Sequence, residues 1–80
     1  MGEHNNTAKL VRMANQIAAN FDYGPDRSRA VAGVLDHVTR FWTLDMKRDI
    51  IAYVRAGNTG LSETAAQAMA QLGDKYGAVA

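Results

Sequence analysis

Residues His37–Asp49, HVTRFWTLDMKRD, set the only tryptophan of the chain beside a phenylalanine and surround the pair with charge. Three readings compete for this stretch: a buried joint between two helices, a DNA-reading element, or a contact surface for a larger protein. Thr43 fixes its grammar. A threonine side chain ahead of Leu44, Asp45 and Met46 can accept from the backbone amide of a new helix, the role of an N-cap. One helix therefore ends at the aromatic pair and another restarts after Thr43. Upstream, Val31, Val34, Leu35, Val38, Phe41 and Trp42 follow helical spacing along one face. Downstream, Met46, Ile50, Ile51 and Val54 do the same. Both rings are expected to anchor the corner from inside, with Arg40 and Arg48 as its exposed rim. The open point is whether Trp42 shows an edge.

Working outward, Asp26 is the expected N-cap of the upstream helix, and the DYGPD segment before it breaks the chain because Gly24 and Pro25 both interrupt a helix. The helix ahead of that break is expected over about Thr7 to Phe21. Leu10, Ala14, Ile17 and Phe21 form its apolar stripe, flanked by Met13 and Ala18. After the corner, the third helix should run to Ala56, with Gly57 as its stop. GNTG makes the next turn. Ser62 then caps an alanine-rich fourth helix with Ala65, Met69 and Leu72 inward and Gly73 as its end. No period-2 strand pattern, internal repeat or low-complexity tract is present. The expected fold class is all-α, a small single-domain bundle of about four short helices spanning residues 1–80. Residues 1–6 are expected to be a flexible tail and residues 74–80 frayed. Short loops imply antiparallel neighbours, in an orthogonal or an up-and-down arrangement.

The length argues for one domain, because each half of 80 residues would bury too little apolar surface alone. Hydrophobic residues make up 48%, but many are alanines, so the core must be thin. With no cysteine, neither disulfides nor thiolate metal sites can reinforce it, and a partner is the remaining staple. The formal charge of +1 favours neither nucleic acid nor membrane for the molecule as a whole. The opening MGEHNNTAKL has no basic region followed by an apolar run, and no stretch approaches the roughly 20 apolar residues of a membrane span, so a cytoplasmic protein is expected.

Catalytic patterns are sparse. His4 and His37 lie far apart and neither has a partner at metal-ligand spacing. Ser28 and Ser62 sit at or near helix starts, where capping accounts for them, and no histidine is placed beside either. AGNTGLSE puts glycines before a helix but lacks the lysine of a phosphate-cradling loop. An acyl-carrier protein would need a serine opening its second helix and an acidic surface. Asp45 and Asp49 are spaced i,i+4, but Lys47 and Arg48 beside them make ordinary surface ion pairing sufficient. No catalytic, cofactor-binding or metal site is therefore expected.

Two faces point to contact instead. On the first helix, Arg12, Asn15, Gln16 and Ala19 oppose the apolar stripe, where a solvated helix would carry Glu and Lys. At the corner, Arg40, Arg48 and Arg55 surround Phe41 and Trp42, and arginine with aromatic residues is the composition enriched at binding hot spots. The expected partner-binding residues are Arg12, Asn15, Gln16, Arg40, Trp42 and Arg48.

LVRMANQIAANF, then AVAGVLDHVTRFW, then a capped helix with MKRDIIAYVRAG and GLS, resembles the small delta subunit of soluble, NAD-dependent, molybdenum- or tungsten-containing formate dehydrogenases. The likeness covers about Leu10 to Leu72. It departs from the family pattern at Leu44, where a proline follows the cap, and at Lys47, where arginine is common. The resemblance implies an accessory subunit with no catalysis of its own, binding the large catalytic subunit and stabilising the complex or its cofactor. Bis-molybdopterin guanine dinucleotide, iron-sulfur clusters, FMN and NAD are then expected in partner subunits. Two other classes compete. A helix-turn-helix nucleic-acid binder would place Lys47, Arg48 and Arg55 on phosphates, although residues 40–55 carry four basic side chains against two acidic ones and its apolar positions are committed inward. A self-associating bundle, dimeric when isolated, would use the apolar surface that a thin core leaves free.

Overall fold

The computed structural model describes residues 3–76, with side chains from Thr7 onward. It contains four helices: α1 (Glu3–Phe21), α2 (Arg27–Phe41), α3 (Leu44–Arg55) and α4 (Glu63–Tyr76). No strand occurs among the described residues, so the all-α class holds. Each expected cap is in place. Asp26 and Thr43 accept from the amides of Arg29 and Met46, both at 3.2 Å, and Ser62 Oγ accepts from the amide of Ala65 at 3.3 Å. Gly57 ends α3 at φ +87°, a left-handed conformation that glycine adopts without a Cβ penalty.

Two boundaries differ from expectation. Helix α1 begins at Glu3 instead of near Thr7, so residues 3–6 are backbone-helical; Met1 and Gly2 lie outside the described residues. Helix α4 continues through Gly73 to Tyr76, and the remainder of the segment expected to fray, residues 77–80, lies outside the description. Glycine costs about 1 kcal/mol inside a helix, but Gly73 is buried beside Ile51 and its carbonyl accepts from Arg55 Nη2 at 3.4 Å. Tertiary packing carries the helix past it.

The core lies where the four apolar stripes meet: Leu10, Ala14 and Ala18 of α1, Val31, Val34 and Val38 of α2, Ile50 and Ile51 of α3, and Ala65, Ala68, Met69 and Leu72 of α4. On α1 the buried line runs through Ala18, leaving Ile17 and Phe21 half-buried. Helix α2 packs chiefly on α4, α1 on α2, and α3 on α4. Although only Trp42 and Thr43 separate them, α2 and α3 are not packed along their lengths. The corner sends them apart, which corrects the expectation that short loops make sequential helices antiparallel neighbours.

Polar ties fix the connections. Thr64 Oγ1 donates to Asp22 Oδ2 at 3.1 Å, and Arg27 pairs with Glu63 at 2.8 Å, so the α1–α2 loop is held to the start of α4.

Candidate docking surface

The corner splits the aromatic pair. Helix α2 closes at Phe41, and Trp42 adopts an extended backbone, φ −84° and ψ 143°, while its amide still donates to the Val38 carbonyl at 3.0 Å. That change of backbone swings the indole into the core, where Trp42 is 5% exposed. Phe41, still in helical register, is left 69% exposed. The expectation that Phe41 is core is thus overturned. Trp42 leaves the 3.6-residue period and turns in; Phe41 keeps it and stays out.

Trp42 nevertheless keeps an edge at the surface. It lines an open, almost wholly apolar depression of about 370 Å³ together with Arg12, Met13, Gln16, Ile17 and His37. Three of the expected contact residues, Arg12, Gln16 and Trp42, are brought together there although the first and the last are thirty residues apart in sequence. His37 and Phe41, one helical turn apart, pack with ring centroids 4.9 Å apart and planes tilted by 47°, so the exposed phenyl ring stands next to the groove. Leu44, 50% exposed, lies on the other side of the Trp42–Thr43 break.

The other expected contact residues fall elsewhere. Both ends of the Asn15 amide are engaged within the chain: Nδ2 donates to the Gly60 carbonyl at 3.0 Å and Oδ1 accepts from the Ser62 amide at 2.8 Å. Asn15 anchors the α3–α4 loop to α1 and does not offer its amide outward. Arg40 is exposed on α2 and pairs with Asp36 at 3.0 Å. Arg48 is exposed on α3 and does not line the groove.

Lys47 corrects another expectation, that it belongs to a charged surface. It is 8% exposed, its Nζ donates to the Thr39 carbonyl at 3.0 Å, and it lies 5.1 Å from the centre of the Tyr76 ring. It ties the start of α3 to the end of α2. The signal was present in the spacing, because residues 47, 50, 51 and 54 form one helical stripe and the lysine stem continues it. Lys47 is thereby removed from the phosphate contacts of the helix-turn-helix reading. Arg55 is held to the Gly73 carbonyl, and the two helices of the supposed motif do not pack on each other.

Among the described residues no group of three or more His, Cys, Asp and Glu side chains could hold a metal ion. The groove also does not fit a pterin dinucleotide. Such a molecule needs many convergent hydrogen-bonding groups, and among the described residues only Arg12, Gln16, His37 and the Trp42 indole could offer any. No described helix is long and apolar enough to cross a membrane.

The sequence model of one family, described as NADH-dependent formate dehydrogenase delta subunit FdsD, matches residues 9–69. The chain belongs to that family. The matched span runs from the second turn of α1 to Met69 in α4 and so contains every groove residue, the Phe41–Leu44 corner and Asn15. Comparisons with curated proteins and with solved structures return no match.

Proposed function

We propose that this chain is a non-catalytic accessory subunit that docks on the large catalytic subunit of an NAD-dependent formate dehydrogenase and stabilises the complex or its molybdopterin cofactor. The molybdopterin, the iron-sulfur clusters, FMN and NAD reside in the partner subunits. The single observation that carries the docking role is the groove beside the corner. In a bundle this small, an apolar depression flanked by an exposed phenylalanine is surface that remains in water until another molecule covers it. Family membership supports the choice of partner. Arg12, Gln16 and the edge of Trp42 are the central contacts; Arg40 and Arg48 form a charged periphery, and Asn15 acts indirectly by holding the loop beside α1.

The test is to purify the dehydrogenase complex with and without this chain, then measure whether the chain copurifies, the molybdopterin content and formate oxidation. The expected result is association, with lower cofactor content or activity when the chain is missing. Absence of association together with unchanged cofactor and activity overturns the proposal.

A further inference from the structure

The chemistry of the groove narrows what can occupy it. Its floor and walls are Met13, Ile17 and the Trp42 edge, and a methionine-lined, solvent-open depression suits a bulky apolar side chain better than a polar small molecule, which is normally enclosed over most of its surface. Its ionisable lining groups among the described residues are Arg12 and His37, and no described carboxylate lines it. Among the described residues Arg12 forms no ion pair. Three large apolar side chains among the described residues are strongly exposed, Tyr23, Phe41 and Leu44, and two of them flank Trp42. The surface is therefore a hole beside a knob, with basic charge on the rim of the hole.

We infer that this corner captures a segment of the partner subunit that presents one bulky apolar side chain next to a carboxylate: the apolar group enters the groove over Met13, Ile17 and Trp42, the carboxylate pairs with Arg12, and Phe41 inserts beside it as the anchor on this side. This rests on the docking role proposed above and specifies the chemistry of the partner. Groove laid on groove, a second copy of the chain is disfavoured as occupant, because two such grooves meeting across a twofold axis would bring the two Arg12 guanidiniums together with no lining carboxylate between them. An acidic partner segment gains from the same charges. The His37 ring braces Phe41, so the anchor is held in position before contact and loses little freedom on binding.

The experiment uses the whole chain coexpressed with the dehydrogenase complex. Phe41→Ala and Arg12→Glu are compared with wild type and with Gln67→Arg, which alters an exposed α4 position outside the groove. Copurified amount, affinity at low and high salt, and the thermal midpoint of the isolated chain are recorded. The expected result is that each groove variant weakens association about tenfold or more, as truncation of a hot spot does. Gln67→Arg binds like wild type, and the midpoints of the groove variants stay near that of wild type. Arg12→Gln should also flatten the salt dependence. A photo-crosslinking residue at position 41 should join to a partner peptide containing an acidic residue. If wild type copurifies but Phe41→Ala and Arg12→Glu bind equally well, the inference is overturned while the docking role stands. If wild type does not associate at all, both fall. If the isolated chain forms a dimer that Phe41→Ala dissolves, with association to the complex unchanged, a second copy is the occupant and the inference is overturned.

Discussion

Two connections flank α1, and they are built on opposite plans. At the α3–α4 loop the polar groups are closed among themselves. Asn15 bridges the Gly60 carbonyl and the Ser62 amide, the Tyr53 hydroxyl accepts from the Gly60 amide at 3.0 Å, and Asn58 Nδ2 donates to the Tyr53 carbonyl at 3.2 Å. Gly60 fits this seam because a Cβ there would run into the Tyr53 hydroxyl. At the α2–α3 corner the interior is equally well tied, through Thr43 and Lys47, but the outside is not closed: Phe41 and Leu44 face water and an apolar groove opens beside them. A loop sealed by its own hydrogen bonds is complete as a piece of architecture. A corner that leaves aromatic surface in water, beside the Arg12 guanidinium, is the face that the proposed docking would cover.

Substitutions can break this contrast or sharpen it. The largest effect is expected for Trp42→Ala, which removes the one large ring that the corner buries and should cost about 3–5 kcal/mol of stability, read by denaturant unfolding. A loss below about 1 kcal/mol would mean that the indole belongs to the surface and that the corner has no closed interior. Next, Asn15→Ala opens the sealed loop. Each lost hydrogen bond is worth about 0.5–1.5 kcal/mol, and both lie at exposed positions where water can substitute, so a total near the low end, about 1 kcal/mol, is expected. Amide exchange at Gly60 and Ser62 should quicken in the same variant.

A smaller effect of opposite sign is expected at Leu44. It is the first residue of α3, where proline is favoured because no helical hydrogen bond needs its amide, and Thr43 before it already has the extended backbone, φ −69° and ψ 164°, that precedes proline. Leu44→Pro should therefore raise stability by about 0.4–1 kcal/mol through the unfolded chain; a drop in the unfolding midpoint would show that the leucine side chain supports the fold. The smallest change belongs to Phe41→Ala. With the ring exposed, stability should move by no more than about 0.5 kcal/mol, and calorimetry showing a large loss would place Phe41 back in the core.

Most of the fold could be read from local chemistry. The caps at Asp26, Thr43 and Ser62 and the stop at Gly57 each depend on one side chain meeting backbone groups within three or four residues, so their signals survive in a linear string. The apolar stripes were equally plain in the spacing of Val31, Val34 and Val38 and of Ala65, Met69 and Leu72. The proposed contact surface was legible in part. Arg12, Gln16 and Trp42 stood out by composition and do converge on one groove, but Asn15 shared that composition and turned inward to a loop some 45 residues away. Phe41 was misplaced because it and Trp42 stand three and four residues after Val38, both positions that border the α2 stripe, and periodicity does not show the backbone leaving the helix at the second of them.

The sequence by itself determined the four helices, the caps at Asp26, Thr43 and Ser62, the stop at Gly57 and most of the apolar face that each helix turns inward, because those depend on interactions between near neighbours. Only the tertiary structure decided that α2 packs on α4 and leaves α3 at the corner, that Lys47 goes in while Phe41 stays out, and that Met13, Ile17 and Trp42 share a groove. Those outcomes depend on where α1 crosses the corner and on one residue's departure from helical backbone. Both are set by the simultaneous packing of four helices, which no local pattern along the chain encodes.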